Sequence, residues 1–118
     1  VYQARTDDMI VSAGYNIAGP EVEAALLAHP AVAECGVVGA PDQDRGQIVK
    51  AYVVLRPGHA ADAATTKGLQ DYVKATIAPY KYPRAIEYVT TLPRTQTGKL
   101  QRFELRRMAS EAARELAS

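Results

Sequence analysis

The segment Thr95-Gln96-Thr97-Gly98-Lys99 brings two small hydroxyl residues, a glycine and a lysine together on a short polar stretch. Glycine lets the backbone bend into conformations that other residues avoid, and a lysine on such a loop can carry a point charge to a carboxylate or a phosphate. The spacing is not that of a P-loop, which requires spaced glycines and a Lys-Ser/Thr pair at the start of a helix. Taken alone, Lys99 therefore fits either an anion-contacting residue or an ordinary solvated lysine.

The basic residues are concentrated toward the C-terminal end of the chain. Residues 1–73 hold 5 basic and 9 acidic side chains, whereas residues 74–118 hold 9 basic and 4 acidic ones. This asymmetry is typical of a solvated helix face, or of a surface that meets a small phosphate-bearing ligand or an acidic partner. The net charge of the whole chain is only +1, so the composition does not favour nucleic acid as a partner.

Length and composition predict one globular domain over residues 1–118, because 118 residues that are 47% hydrophobic suffice for one core. The single cysteine, Cys35, cannot form an internal disulfide, and no Cys/His cluster has the spacing of a metal site. Apolar runs such as Val53-Val54-Leu55 are far shorter than the ~20 residues of a membrane span, and no leader sequence is recognisable. We expect a cytoplasmic protein with no membrane span and no metal.

The elements that must position the loop alternate between strand and helix patterns. They are a hairpin within 9–17, a helix from Gly19-Pro20 to His29-Pro30, strands 32–38 and 48–55, a helix that ends at Pro79, a strand 86–89 and a final helix around 105–116. The predicted fold class is α+β: a small mixed β-sheet packed with about three helices and preceded by a short N-terminal β-hairpin.

Two finer expectations come from the same patterns. Glu21 and Glu23 are predicted in the first helical turn, where they would face the positive end of the helix dipole. The strand 48–55 alternates between Ala51, Val53, Leu55 and Lys50, Tyr52, Val54, which predicts that it is buried on one face only.

Several segments resemble, in order, the C-terminal domain of adenylate-forming enzymes, the superfamily of acyl-CoA synthetases, peptide-synthetase adenylation domains and luciferases. The resemblance spans about residues 5–107, and several motifs in register make coincidence improbable. The segments are Arg5-Thr6-Asp7-Asp8-Met9-Ile10, Ser12-Ala13-Gly14-Tyr15-Asn16-Ile17, Pro20-Glu21-Val22-Glu23, His29-Pro30-Ala31-Val32, Val37-Val38-Gly39-Ala40-Pro41-Asp42, Pro79-Tyr80-Lys81-Tyr82-Pro83 and Leu92-Pro93-Arg94-Thr95-Gln96-Thr97-Gly98-Lys99-Leu100-Gln101-Arg102.

The resemblance implies that this chain is the mobile C-terminal lid of such an enzyme, with a hinge segment at residues 1–8. The large N-terminal domain of the family, which binds ATP and the acyl group, is not in this chain. In the family, a carboxylate attacks the α-phosphate of ATP to give an acyl-adenylate and pyrophosphate, and the thiol of coenzyme A then attacks the adenylate. The implied substrates are ATP with Mg²⁺, held mainly by the other domain, a carboxylic acid and coenzyme A, with no tightly bound cofactor. The motifs are most similar to benzoate-type and other aromatic or medium-chain acid ligases.

The resemblance also assigns residues to the first half-reaction and to the hinge. Lys99 matches the lysine that reaches the substrate carboxylate and the α-phosphate or ribose oxygens, with Thr95, Thr97 and Gly98 supporting its loop. Asp7 matches the hinge position. Arg5 matches a residue near the ribose and phosphates of the nucleotide.

For the second half-reaction, Gly14 falls where the family brings a hairpin against the pantetheine arm of coenzyme A. Tyr80, Lys81 and Tyr82 match a turn that contacts the nucleotide of coenzyme A, by ring stacking and by a cation on phosphate. Position 82 is often basic in relatives and position 45 often aromatic, whereas this chain has Tyr82 and Arg45. The alternative for the tyrosines is packing at the rim of a small core.

Two further functions share these motifs. One is a subdomain that loads the adenylate onto the phosphopantetheine of a carrier protein, and the other is a binding module that has lost catalysis. The expected partners are the enzyme's own N-terminal domain, ATP or AMP, the carboxylic acid and coenzyme A. A lysine acetyltransferase and deacetylase acting on Lys99 are further predicted partners, because acetylation would neutralise its charge.

Overall fold

A computed structural model describes residues 9–117, with side chains described as far as residue 113. The elements are strands β1 (Met9–Ser12), β2 (Tyr15–Ala18), β3 (Val32–Asp42), β4 (Gly46–Leu55) and β5 (Ala85–Tyr88), helices α1 (Gly19–Leu27), α2 (Ala63–Thr76) and α3 (Arg102–Ala117), and a 3₁₀ turn at Pro79–Lys81.

The strands form two sheets. β1 and β2 make an antiparallel hairpin, and β3, β4 and β5 make a mixed sheet in that spatial order, with β3 antiparallel and β5 parallel to β4. Residues 56–84, which include α2, connect the parallel pair β4 and β5, since parallel neighbours require a crossover. The predicted α+β class, with a hairpin, a mixed sheet and three helices in the described residues, is confirmed.

The three-stranded sheet is covered on both faces. The hairpin, α1 and α2 pack on one face, and α3 packs on the other with Leu92 from the loop before it. The first cluster includes Ile10, Ile17, Val22, Leu26, Val53, Leu69 and Val73, and the second includes Val38, Ala40, Tyr52, Leu92, Leu105 and Ala109.

This second layer makes the prediction of a half-buried β4 wrong. Tyr52 is 1% exposed although it faces away from the neighbouring Ala51 and Val53. Its ring lies in the α3 cluster, and burial raises the pKa of its hydroxyl to about 12. A tyrosine fits an interior position and a surface one, so its place in an alternating pattern does not show that a helix covers it.

Gly36 on β3 explains how α3 comes so close to the sheet. A Cβ atom at Gly36 would overlap the Leu105 Cδ1 atom of α3. The absence of a side chain at Gly36 therefore lets the first turns of α3 lie directly on β3. This contact sets the position of the start of α3, which follows Lys99 closely in sequence.

Each shorter helix has a local signal at one end. Proline opens α1 in its first turn, and Asp62 caps α2 by accepting a hydrogen bond from the Thr65 N–H at 2.9 Å. That bond lowers the pKa of the Asp62 carboxyl. After α1, the His29 Nδ1 atom accepts from the Ala31 N–H at 3.1 Å, so His29 lies at the helix end as predicted.

Candidate functional site

The segment that carries Lys99 is a tight hairpin loop. The Thr95 N–H donates to the Lys99 carbonyl at 2.9 Å, and the Gly98 N–H donates to the Thr95 carbonyl at 2.9 Å. Gly98 has φ +87°, a left-handed conformation that an L side chain rarely adopts. This is the geometry of a three-residue loop that ends in a left-handed residue. Gly98 is needed for its backbone conformation, since a Cβ there would meet no atom within 4 Å.

The two threonine hydroxyls of the loop lie beside each other. Thr95 Oγ1 accepts a hydrogen bond from the Lys99 N–H at 3.1 Å and lies 3.0 Å from Thr97 Oγ1. The backbone at Lys99 is thus fixed through both its N–H and its carbonyl. The Lys99 side chain is exposed, and its ammonium makes no hydrogen bond or ion pair among the side chains described over residues 9–113.

Ion pairs hold both ends of this loop to α1 and β3. On the N-terminal side, Arg94 Nε donates to Glu34 Oε1 at 3.1 Å, and Arg94 Nη1 donates to the Gly98 carbonyl at 2.9 Å. On the C-terminal side, Arg102 Nε donates to Glu23 Oε2 at 2.9 Å, and its Nη2 donates to Oε1. The loop is therefore attached to the body of the domain at two points.

Glu23 has a different role from the one its position in the sequence suggests. It is 8% exposed, and besides Arg102 it accepts a hydrogen bond from the Val37 N–H at 2.9 Å. The prediction of an acid in the first turn of α1 is right for Glu21 and wrong for Glu23, which lies beyond that turn and is buried. A buried carboxylate needs such partners, because an unpaired charge in the interior is costly.

A second candidate surface lies at the 3₁₀ turn. The rings of Tyr80 and Tyr15 stack with centroids 4.5 Å apart, although the residues remain 42% and 51% exposed. Lys81 forms an ion pair with Glu21, which raises the pKa of the Lys81 ammonium through their hydrogen bond. We call Tyr15, Tyr80, Lys81 and Glu21 the aromatic surface. Sequence reasoning did not single out Tyr15 or pair Glu21 with Lys81, since the paired residues are about 60 positions apart.

Tyr82 does not belong to the aromatic surface. It is half-buried against the first hydrophobic cluster, and its ring lies between two cations, Lys74 Nζ at 4.3 Å and the Arg84 guanidinium at 5.0 Å from its centroid. The structure thus groups Tyr80 with Lys81 and places Tyr82 toward α2. The predicted alternative of packing at the core rim describes Tyr82 better than Tyr80.

Gly14 lies in the turn between β1 and β2. Gly14 and Ala13 have φ +87° and +51°, so both turn residues are left-handed, as in a tight hairpin turn. The Ala13 N–H donates to the Arg45 carbonyl at 3.0 Å, and Arg45 Nε donates to Ser12 Oγ at 3.2 Å. Arg45 therefore fixes this turn against the connection between β3 and β4. The predicted hinge residue Asp7 and the predicted nucleotide contact Arg5 lie outside the described residues.

Cys35 is a packing residue of β3. It is buried on β3, its Sγ lies 3.4 Å from the Glu23 carbonyl, and burial raises the pKa of its thiol to about 12. No group of three or more His, Cys, Asp or Glu residues in the described part of the chain could hold a metal ion. None of its helices is long and apolar enough to cross a membrane.

Comparison with known proteins identifies the same type of domain as the sequence motifs did. The family model described as AMP-binding enzyme C-terminal domain matches residues 21–99. The chain belongs to this family. It is 53% identical over 109 residues to the Homo sapiens protein "Acyl-coenzyme A synthetase ACSM1, mitochondrial", covering 90% of this chain and 19% of that protein. It is 52% identical over 106 residues to the uncharacterized acyl-CoA ligase YtcI of Bacillus subtilis (strain 168), covering 90% and 20%.

Solved structures of similar proteins share the fold of this AMP-binding C-terminal domain. The Brucella canis acyl-CoA synthetase matches with a TM-score of 0.88 and 46% identity over 93% of this chain and 20% of that one. The anthranilate CoA ligase AuaEII, in complex with anthranoyl-AMP, matches with a TM-score of 0.84 and 46% identity over 92% and 21%. The chain thus spans about a fifth of the length of these relatives. The family resemblance drawn from the motifs is confirmed.

Proposed function

We propose that this domain is the C-terminal lid of an ATP-dependent, AMP-forming acid–CoA ligase. The observation that carries the proposal is the exposed Lys99, whose ammonium is unpaired among the described side chains while its backbone is held at both polar groups. A cation presented in this way is suited to a ligand that comes from outside the domain. Family membership and the relatives named as CoA ligases support the same reaction.

In the first half-reaction, Lys99 stabilises the negative charge on the reacting groups. A carboxylate oxygen of the acid bonds to the α-phosphorus of ATP, and the bond from that phosphorus to the pyrophosphate oxygen breaks. The ammonium contacts the carboxylate and the α-phosphate or ribose oxygens, which it aligns as well as neutralises. Arg5 contributes near the ribose and phosphates. Mg²⁺ accompanies ATP and is bound mainly by the large domain.

In the second half-reaction, the domain rotates about Asp7 and presents a different face. The turn at Gly14 lies along the pantetheine arm, and Tyr80 stacks on the adenine of coenzyme A while Lys81 meets a phosphate. Tyr15 already supports the ring of Tyr80. The phosphate must compete with Glu21 for Lys81, because the two side chains are paired in this structure.

The acid substrate that we propose is aromatic or of medium chain length. The structural neighbour named as an anthranilate CoA ligase acts on an aromatic acid, which supports this class. Coenzyme A is proposed as the acceptor in preference to a carrier protein, because the relatives above are named acyl-CoA synthetases or CoA ligases. The proposed compartment is the cytoplasm.

The test is Lys99→Ala in the full-length ligase, with Lys67→Ala as a matched control. Lys67 is an exposed lysine of α2 that pairs only with its helix neighbour Asp71 among the described residues. We expect Lys99→Ala to slow acid-dependent ATP–pyrophosphate exchange by about 10²–10³-fold, the usual effect of removing one charge-stabilising donor. Thioester formation from a presynthesised acyl-adenylate should change little. Equal loss in both assays, or no loss in the first, would contradict the proposal.

The hinge is tested separately with Asp7→Pro. Proline fixes φ near about −65° and removes an N–H donor, so the variant would be held in one domain orientation. We expect adenylation to remain measurable while thioester formation slows by orders of magnitude, with an unchanged circular dichroism spectrum. A normal rate of thioester formation would show that rotation about Asp7 is not part of the mechanism.

A further inference from the structure

The loop that carries Lys99 meets the body of the domain through two arginines, one on either side. Arg102 belongs to the first turn of α3 and is bound to the buried Glu23, so the C-terminal side of the loop is anchored in the interior. Arg94 lies on the other side and is bound to Glu34 of β3 in a pair that remains partly exposed, with side-chain exposures of 37% and 43%. The two anchors thus differ in burial.

Arg94 does more than join the loop to β3. Its Nε and Nη2 atoms bind one carboxylate oxygen of Glu34, and its Nη1 atom binds the carbonyl of Gly98, the residue just before Lys99. A guanidinium has donors in a planar fork and can hold a carboxylate and a carbonyl at the same time. The Gly98 carbonyl belongs to the left-handed residue that sets the direction of the chain into Lys99.

We infer that Arg94 and Glu34 are positioning residues for Lys99, an inference that rests on the proposed role of Lys99 in adenylation. Arg94 orients the Gly98–Lys99 peptide relative to β3, and Glu34 holds the guanidinium in place. The hairpin hydrogen bonds of the loop define its shape, and the Arg94–Glu34 pair defines its angle to the sheet. A displacement of about 1 Å at a reacting group can slow a reaction by on the order of 10²-fold, so this angle matters for adenylation.

The Arg94–Glu34 ion pair contributes little to the folding stability of the domain. Exposed ion pairs contribute little to folding stability, and the hydrophobic contacts of α3 and Leu92 hold the segment to the sheet without it. Arg94→Gln in the full-length ligase should therefore leave the thermal midpoint nearly unchanged. Arg107→Gln is the matched control, because it makes the same charge change at an exposed arginine of α3 that pairs with Glu104 and Glu111.

The expected result is a split between the two half-reactions. Arg94→Gln should lower kcat for adenylation by on the order of 10-fold, with little change in KM for ATP, while thioester formation from presynthesised acyl-adenylate is retained. Glu34→Gln should give a smaller loss in the same assay. The double variant should be no slower than Arg94→Gln alone, because both changes break one interaction. Amide hydrogen exchange over residues 95–99 should speed up in Arg94→Gln and not in Arg107→Gln.

Three outcomes overturn the inference. They are normal adenylation by Arg94→Gln, equal loss in both half-reactions, and additive losses in the double variant. Lys99→Ala, measured in parallel, separates this inference from the proposed function. If Lys99→Ala is impaired and Arg94→Gln is not, the positioning role alone is wrong, whereas normal adenylation by Lys99→Ala overturns the function itself.

Discussion

The Lys99 loop and the aromatic surface present their lysines in opposite states. Lys99 has a fixed backbone and an ammonium with no partner among the described side chains, whereas Lys81 is already bound to Glu21. The first arrangement needs no rearrangement before an anion binds, which suits a group that stabilises charge during a reaction. The second requires an exchange of partners, which suits a surface that binds and releases a substrate. The two proposed half-reactions thus make different demands on the same kind of side chain.

Acetylation of Lys99 should have the largest effect of the changes considered, because it removes the charge proposed to act in adenylation. Acetylation removes the charge while the backbone hydrogen bonds of the loop stay in place. We expect protein acetylated at Lys99 to lose adenylation activity by at least about 10²-fold and to regain it on treatment with a deacetylase. Acetylation at Lys81, prepared in the same way, should spare adenylation. A fully active protein acetylated at Lys99 would contradict the role of its charge.

Tyr80→Ala should affect the second half-reaction, thioester formation with coenzyme A. Stacking of a base on an aromatic ring is worth about 1–3 kcal/mol, so KM for coenzyme A should rise by on the order of 10-fold. Tyr80→Phe keeps the ring and its contact with Tyr15, and serves as the control. Steady-state kinetics with varied coenzyme A, together with ATP–pyrophosphate exchange, separate the two effects. An unchanged KM in Tyr80→Ala would remove Tyr80 from the proposed binding surface.

Gly98 in the Lys99 loop and Gly14 in the β1–β2 turn allow the two half-reactions to be compared with variants that lower the free energy of unfolding by similar amounts. Gly14 and Gly98 both have φ +87° and open space around the missing Cβ, so each Gly→Ala change should destabilise the domain by about 1 kcal/mol through backbone strain alone. Gly98→Ala should slow adenylation, and Gly14→Ala should slow thioester formation. Gly68 in α2 is the control, since alanine there should stabilise the helix by about 0.5–1 kcal/mol. Urea denaturation and the two half-reaction assays give the measurement, and identical kinetic profiles for the two variants would refute the division.

The smallest effect is expected for Glu21→Gln. The substitution removes the charge that pairs with Lys81, so the pKa of Lys81 should fall toward its ordinary value while the ammonium stays protonated at neutral pH. Because the pair is partly exposed and worth little, KM for coenzyme A should fall only about 2–3-fold. A rise in KM would mean that the pair helps coenzyme A to bind by holding Lys81 in place.

The sequence predicted the parts of the molecule that depend on neighbouring residues. Turns at Gly14 and Gly98, the start of α1 at Pro20 and the end of α1 before His29 all follow from local backbone restrictions. The loop around Lys99 was predicted in this way too, because its glycine and threonines lie within a few residues of the lysine they support.

Contacts between distant segments were not predicted. The partners Glu23–Arg102 and Arg94–Glu34 are 79 and 60 residues apart, and nothing in the local pattern around a surface-type residue names its partner. Tyr52 was assigned to an open face because alternation reports the direction of a side chain and not what covers it. Glu23 was placed at the helix dipole for a similar reason, since the residue pattern within α1 does not show that Arg102 of α3 binds its carboxylate.

Cys35 allows the proposed rotation of this domain to be followed with dyes attached at other positions. It is the only cysteine of the chain, and burial raises the pKa of its thiol to about 12, so the reactive thiolate is disfavoured at neutral pH. Its sulfur is also shielded from the solvent by the sheet and by α1. Maleimide dyes should therefore leave it untouched and react with a cysteine introduced on the surface, for example at Lys67. Such a dye, paired with a second one on the proposed N-terminal domain, would report the distance change between the two proposed half-reactions while Cys35 stays in place.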